Sequence, residues 1–128
     1  MQKRKNLKWI LEYAKKNPEE QFAISGKAIS GMESNELNQL NELPNVILLG
    51  YLSDDSVKAL MQNCKAFVFP SYYEGFGIPP LEALSAGARI IISNAASLPE
   101  IYKKSAYYID PENPDVSLSK LLLKTVEP

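Results

Sequence analysis

The sequence predicts an α/β fold with a doubly wound, Rossmann-like parallel sheet and helices on both of its faces. Short apolar runs alternate along the chain with stretches of helical periodicity. The runs are apolar at successive positions, which is typical of parallel strands buried on both faces. With 128 residues, 45% of them hydrophobic and 23% charged, the chain is long enough for one globular core and too short for two.

The first half of the chain predicts two helices that alternate with two strands. Four apolar residues recur at the spacing of one helix face: Leu7, Ile10, Leu11 and Ala14. This helix is expected to end at Pro18, and a short β-prone stretch follows over residues 21–25. A second helix is expected to end before Pro44, and the apolar run 46–49 predicts a strand that stops at Gly50.

The second half continues the alternation. Ser53 is a predicted N-cap because Asp54 and Asp55 follow it, where the helix dipole favours acidic residues. Three apolar residues of this helix are expected to face the core: Val57, Leu60 and Met61. The remaining predicted elements are three strands, residues 66–69, 89–93 and 107–109, and two helices, residues 79–87 and 117–123.

In a doubly wound sheet, ligands bind beyond the carboxyl ends of the strands, in the loops that lead into helices. Four loops are therefore expected to carry the chemistry: residues 25–31, 50–53, 70–80 and 93–99.

The composition excludes several classes of function. The 14 basic and 15 acidic residues nearly cancel, so we expect no nucleic-acid partner. The chain has no histidine, which excludes nucleophile–histidine pairs and histidine zinc sites within it. Cys64 is the single cysteine and is interpreted as a packed small residue in a reducing compartment. No apolar run is long enough to span a bilayer, so the sequence indicates a cytoplasmic protein.

The most informative segment is PSYYEGFGIPPLEAL, which follows a predicted strand and opens a predicted helix. Gly75 and Gly77 let the backbone approach a ligand closely. The predicted helix points its unpaired amides at this loop, which favours a phosphate there. Two carboxylates, Glu74 on the loop and Glu82 in the first helical turn, bracket the glycines.

Like charges repel, so these two carboxylates are not expected to bind the phosphate itself. They are better explained as acceptors for sugar hydroxyl groups, such as the paired hydroxyls of a ribose. A charge-assisted hydrogen bond of this kind contributes about 1.5–3 kcal/mol. The alternative is that Glu74 and Glu82 are ordinary surface carboxylates and that the glycines only form turns.

This segment resembles the donor-binding motif of retaining glycosyltransferases of the GT-B fold, family four, also called glycosyl transferases group 1. The resemblance depends on two glutamates with seven residues between them and Gly-Phe-Gly after the first. The flanking stretches FVFPSYYEGFGIPPLEALSAGARIIIS and NVILLGYLSDDSVKALMQNCKAFVF are similar to the family's strands and helices without a gap. SLPEIYKKSAYYIDP and RKNLKWILEYAKKNP extend the likeness over nearly the whole chain.

The resemblance implies a role for each matching residue. Glu82 would accept the ribose hydroxyls, and Glu74 would contact the donor sugar. Lys5, which precedes Asn6, matches the lysine that neutralises the diphosphate leaving group, so Lys5 and Glu74 are the implied catalytic residues. The alternative for Lys5 is a solvated basic end of the chain. The implied donor-binding backbone belongs to four residues: Gly75, Phe76, Gly77 and Ile78. The nucleobase is implied to pack against three others: Gly50, Tyr51 and Leu52.

The implied reaction moves a hexose from a nucleoside-diphosphate sugar to a glycan or lipid-linked acceptor, with retention of configuration and without a metal or other cofactor. Residues 1–128 then form a truncated nucleotide-sugar-binding domain. The family's partner arginine precedes the first helix, and Arg4 does not occupy that position. The family's first strand, last crossover helix and N-terminal acceptor-binding domain are also missing. We expect the chain alone to be inactive, because transfer needs both walls of the cleft.

Two other classes of function stay open at this point. One is an enzyme of the same fold with another reaction, such as a sugar-nucleotide epimerase or a phosphorylase. The other is a non-catalytic nucleotide-binding module. The resemblance also leaves open a peripheral association of the full-length enzyme with the inner face of the membrane.

Overall fold

The computed structural model of the protein describes residues 6–29, 32–70, 78–94, 99 and 102–123. Within these residues, strands and helices alternate in the predicted order. The strands are β1 (Phe22–Ser25), β2 (Val46–Gly50), β3 (Phe67–Phe69), β4 (Ile90–Ser93) and β5 (Tyr107–Ile109). The α-helices are α1 (Leu7–Lys16), α2 (Gly26–Ile29), α3 (Ser34–Glu42), α4 (Asp54–Asn63), α5 (Ile78–Ser85) and α6 (Leu118–Leu121), and a short 3-10 helix (Lys103–Ser105) precedes β5.

The strands are parallel wherever they pair, as predicted. β1 pairs with β2, β3 pairs with β4, and β4 pairs with β5. In the part of the chain that the structure describes, this pairing makes two sheets, of order β1-β2 and β3-β4-β5. The sequence predicts a single sheet, whereas among these residues no strand of the first sheet pairs with a strand of the second.

The strands differ in how far they are covered. All four residues of β4 are fully buried, as expected of a strand with neighbours on both edges and helices on both faces. In β2, by contrast, the Ile47 side chain is 53% exposed, so the prediction of two covered faces is wrong for this strand. A run of apolar residues indicates a strand, but it does not distinguish a central strand from one at an edge.

Helix α1 connects the two sheets through one hydrophobic core. Trp9 and Tyr13 are almost wholly buried on it, and their rings stack with centroids 5.2 Å apart. The same cluster contains Ile24 of β1 and Ile91 of β4, one from each sheet. Burial of each large apolar side chain contributes about 1.5–3 kcal/mol, so α1 is a main source of the attachment between the sheets.

The structure of helix α4 confirms its predicted N-cap and contradicts the predicted burial of its apolar residues. Its predicted N-cap is present, since the Ser53 hydroxyl oxygen accepts a hydrogen bond from the Ser56 amide at 3.2 Å. None of its ten residues is buried, however. Val57 and Met61 are only half-buried, and Leu60 is 39% exposed. The helical period identifies the apolar face of α4, but the coverage of that face depends on neighbouring elements.

The interpretation of Cys64 as a packed residue is also wrong. This cysteine lies just past the end of α4 and is exposed, like much of that helix.

Among the described residues, no helix combines the length and the apolar character that a membrane-crossing segment needs.

Candidate functional site

The predicted ligand loops begin where the parallel strands end. β1 runs directly into Gly26, β2 ends at Gly50, and β3 is followed by the buried Pro70. The exits of β4 and β5 are linked, because the Asn94 amide donates a hydrogen bond to the Ile109 carbonyl at 2.9 Å. Since parallel strands end at the same edge of a sheet, these exits define the edge on which a ligand is expected.

The head of α1 is fastened to this edge by Asn6. Its side-chain amide donates two hydrogen bonds, to the Pro70 carbonyl at 2.9 Å and to the Pro111 carbonyl at 2.8 Å. Pro70 follows β3, and Pro111 lies just past β5. One turn into the helix, the Trp9 indole donates to the Asp110 carbonyl at 3.0 Å. The first turn of α1 is therefore held against the exits of two strands of the β3-β4-β5 sheet.

The opposite end of α1 is fixed by a second asparagine. The side-chain amide of Asn45 donates to the carbonyls of Ala14, Asn17 and Glu20 at 2.9–3.2 Å. Asn45 directly precedes β2, at the amino end of that strand. Asn6 and Asn45 thus hold the two ends of one helix, the first on the ligand side and the second on the far side.

Tyr13, in the middle of α1, joins that helix to the start of α6. Its hydroxyl donates to the Glu20 carboxylate at 2.7 Å and accepts from the Leu118 amide at 2.8 Å. Burial of the ring, followed by the bond to the Glu20 carboxylate, holds the pKa of Tyr13 well above its usual range. The neutral phenol is the form that the folded protein stabilises.

The predicted nucleobase region is a point of contact between two loops. An ideal Cβ added to Gly26 would lie 2.7 Å from the Gly50 carbonyl carbon and 2.8 Å from the Tyr51 nitrogen. Gly50 itself has φ of 73°, a left-handed value that favours glycine. The Tyr51 side chain is 77% exposed, and Leu52 beside it is half-buried. The loops after β1 and β2 therefore present an accessible surface, and the nucleobase role of Gly50, Tyr51 and Leu52 stays a prediction.

Glu82 lies on α5, but that helix begins one residue before the predicted start at Pro79. The helix begins at Ile78, so Glu82 is in its second turn and the first turn contains no acidic residue. Its side chain is exposed, whereas its neighbour Ala83 is fully buried against the core. Gly87, predicted to follow the end of the helix, adopts φ of 97°. Glu82 is thus accessible to a ligand, and it lies one residue further from the start of the helix than predicted.

Five predicted site residues lie outside the described residues: Lys5, Glu74, Gly75, Phe76 and Gly77. The described residues that flank these segments are Asn6, Pro70 and Ile78. Lys5 directly precedes Asn6, and the segment 71–77 leaves Pro70 and returns at the backbone of Ile78. The hydrogen bond from Asn6 to Pro70 therefore joins the residue that follows Lys5 to the residue that precedes the predicted donor loop.

A shallow depression of about 190 Å³ lies beside the head of α1. Its lining includes Lys8, Glu12 and Glu112. Small-molecule sites usually enclose about 300–1,000 Å³. This depression, as lined by the described residues, is smaller than that range.

Sequence reasoning missed two residues of this edge. An asparagine before a helix usually predicts an N-cap, but the Asn6 side chain makes no cap hydrogen bond and binds two distant loops instead. Gly26 gave a weak signal, because a glycine after a strand predicts a turn as readily as a close backbone contact. Both roles depend on partners that are far away in the sequence.

Comparison with known proteins identifies relatives of the chain. Residues 1–126 match the family described as "Glycosyl transferases group 1". The O-antigen chain mannosyltransferase B of Escherichia coli is 33% identical over 129 aligned positions, covering 95% of this chain and 34% of that protein. The serotype-specific mannosyltransferase WbdA of Escherichia coli is 55% identical over a shorter stretch, 44% of this chain and 7% of that protein. The chain thus spans about a third of the length of the first of these relatives.

Solved structures share the fold. The crystal structure of TarM matches with a TM-score of 0.67 and 23% identity, over 94% of this chain and 25% of that one. The pneumococcal O-GlcNAc transferase GtfA, in complex with UDP and GlcNAc, matches with a TM-score of 0.58 and 19% identity over the same share of this chain. These matches confirm the predicted Rossmann-like α/β fold class.

Proposed function

Because this chain belongs to the glycosyl transferases group 1 family, we propose that it is the nucleotide-sugar-binding domain of a retaining, family-four glycosyltransferase with the GT-B fold. The observation that carries the proposal is the pair of hydrogen bonds from Asn6, which join the head of α1 to the exit of β3. Lys5, which is predicted to neutralise the leaving group, precedes Asn6 in the chain, and the predicted donor loop follows Pro70. The described residues next to them, Asn6 and Pro70, are hydrogen-bonded at one edge of the sheet, which supports a common site.

The proposed donor is a nucleoside-diphosphate hexose. A diphosphate requires positive charge and amide donors, which Lys5 and the first turn of α5 would supply. The solved neighbour GtfA is in complex with UDP and GlcNAc, which supports a nucleotide as the bound group. Several relatives are named mannosyltransferases, so mannose is the hexose we propose first.

Each site residue has a proposed role in holding this donor. Glu82, exposed on α5, accepts the ribose hydroxyls, and Glu74 contacts the hexose. The diphosphate lies between the amides that begin α5 and the ammonium of Lys5, which balances the charge that develops on the leaving group. The exposed surface at Gly50–Leu52 receives the nucleobase.

The transfer reaction itself needs more than these residues. The chain spans 34% of the length of mannosyltransferase B, and a donor-binding wall alone does not position an acceptor. We therefore propose that an acceptor-binding domain faces this edge in the whole enzyme, and that the 128-residue chain binds nucleotide without transferring sugar. The acceptor is a glycan or a lipid-linked precursor, as the O-antigen relatives suggest, and the whole enzyme works in the cytoplasm at the inner face of the membrane.

Titration calorimetry of the 128-residue chain with UDP, GDP and ADP tests the binding role. We expect measurable heat with at least one of the three diphosphates and weaker binding of the matching monophosphate, because the proposed site recognises a diphosphate. A panel of nucleotide sugars against the full-length enzyme then identifies the hexose, and an anomeric analysis of the product tests retention. Absence of binding by any diphosphate contradicts the proposal.

A further inference from the structure

Asn6 is a buried polar residue that follows Lys5 in the chain and binds the carbonyl of Pro70, the residue before the proposed donor loop. We propose that it is a positioning residue of the donor site, which fixes the head of α1 and the start of the donor loop relative to each other. The assignment rests on the proposed function, because it concerns the geometry of the same diphosphate site.

The hydrogen bonds of Asn6 are unusual for a residue at the start of a helix. An N-cap side chain normally accepts a bond from an amide of its own first turn, and Asn6 makes no such bond. Its amide group instead donates to the carbonyls of Pro70 and Pro111, which are 64 and 105 positions away. Only 6% of the residue is exposed, so water does not compete for these bonds.

The two acceptors lie on opposite sides of strand β4. Pro70 directly follows β3, Pro111 is the second residue after β5, and β4 lies between these strands in the sheet. A single side chain thus ties together two exits that are not neighbours in the sheet. Proline fixes its own φ, so the loops begin from restricted backbone conformations as well as from bound carbonyls.

The backbone of Asn6 makes this placement dependent on residue type. Asn6 has φ of 54° and ψ of 44°, the left-handed region that asparagine and glycine tolerate and most residues avoid. Glycine can keep this backbone without the amide group. Asn6→Gly therefore removes the two hydrogen bonds without adding backbone strain.

The consequence for the donor site follows from chain connectivity. Lys5 is one residue before Asn6, and the proposed donor loop is one residue after Pro70. Loss of the Asn6–Pro70 bond removes the fixed link between the residue that follows Lys5 and the residue that precedes the donor loop. Misplacement of binding groups by about 1 Å is enough to weaken a preorganised site strongly.

Asn45 provides a matched control. It is the same residue type, it is 6% exposed, and its amide also binds backbone carbonyls at an end of α1. It lies at the amino end of β2, away from the ligand edge. A purely structural role for Asn6 predicts that both variants lower stability and leave the affinity of the folded protein unchanged.

The experiment measures the Kd for the best-binding nucleoside diphosphate, at a temperature where circular dichroism shows each variant fully folded, together with the Tm. We expect Asn6→Gly to raise the Kd about tenfold or more, and Asn45→Ala to lower the Tm with a Kd within about twofold of wild type. Asn6→Asp, which tolerates the same backbone but cannot donate, is a second variant. We expect it to weaken binding at least as much as Asn6→Gly, because its buried carboxylate loses both donated bonds and adds repulsion of the two carbonyls and the diphosphate.

An unchanged Kd for both Asn6 variants overturns the assignment, and so does an equal rise in Kd for Asn6→Gly and Asn45→Ala. If wild type binds no nucleoside diphosphate, the proposed function itself fails, and the positioning role fails with it. The wild-type titration therefore distinguishes the two failures.

Discussion

Gly26 and Gly50 are in closer backbone contact than any other residue type at position 26 would permit. A Cβ at Gly26 would lie 2.7 Å from the carbonyl carbon of Gly50 and 3.0 Å from its oxygen. Because both of these atoms belong to the backbone, they cannot move aside as the tip of a side chain can. The loops that follow β1 and β2 are therefore fitted to each other at the proposed nucleobase surface.

We expect Gly26→Ala to displace the Gly50–Tyr51 backbone, to lower the free energy of unfolding by about 1–3 kcal/mol, and to weaken nucleotide binding. Calorimetric titration and chemical denaturation measure the two effects. Gly87→Ala is the matched control, since Gly87 has a strained φ of 97° but nothing within 4 Å of an added Cβ. It is expected to lower stability without changing affinity. Equal affinities of wild type and Gly26→Ala argue against a nucleobase site at this contact.

Replacement of Glu82 tests the proposed recognition of ribose. We expect Glu82→Gln to raise the Kd for the nucleoside diphosphate about tenfold, because a charge-assisted hydrogen bond becomes a neutral one. The same substitution should have no effect on a 2′,3′-dideoxy nucleotide, which has no hydroxyls to lose. Glu42→Gln is the control, since Glu42 is exposed at the end of α3 that leads toward the amino end of β2.

An equal loss of affinity for the nucleoside diphosphate and for its 2′,3′-dideoxy form contradicts the ribose role of Glu82. Such a result would leave Glu82 a general role in nucleotide binding. Glu82 lies in the second turn of α5, so its distance from the helix amides also favours contact with hydroxyls over direct competition with phosphate.

The order of the elements and the parallel pairing of the strands were predictable from sequence, because they follow from local patterns. Apolar runs, the Ser53 cap and Gly87 each identify an element from a few adjacent residues. The segment that resembles a donor-binding motif was recognisable for the same reason. Its glycines and glutamates form one short segment, so its identification needs no knowledge of how the chain folds.

The contacts that organise the edge were not predictable, because they join residues distant in sequence. Asn6 has the position of a cap and a different set of partners. Gly26 meets a loop 24 residues later, and nothing in its own neighbourhood indicates this. Leu60 shows the converse error: its helical spacing correctly gives the apolar face of α4, but tertiary neighbours leave that face partly uncovered.

The Ser53 cap is expected to stabilise α4 locally rather than the whole fold. We expect Ser53→Ala to remove the bond to the Ser56 amide and to destabilise the helix by about 1 kcal/mol. Since α4 has no buried residue, the loss should appear as faster hydrogen exchange in residues 54–63, with little change in Tm. Ser56→Ala, which retains that amide, is the control. A large fall in Tm with unchanged exchange in α4 contradicts this account.

Tyr13 is expected to make stability dependent on pH in the alkaline range. Burial and the Glu20 carboxylate raise its pKa in the folded state, so between the ordinary phenol pKa of about 10 and the raised value the folded state binds more protons than the unfolded one. Its contribution is therefore complete below about pH 10 and is lost as the pH rises further.

Tyr13→Phe removes this pH-dependent contribution and leaves the buried Leu118 amide without its hydroxyl acceptor, which costs about 1–3 kcal/mol near neutral pH. Denaturation at a series of pH values should show wild type losing stability more steeply than Tyr13→Phe above about pH 10, while Tyr51→Phe, changed at an exposed ring, follows wild type. Parallel curves for wild type and Tyr13→Phe contradict the role of this hydroxyl.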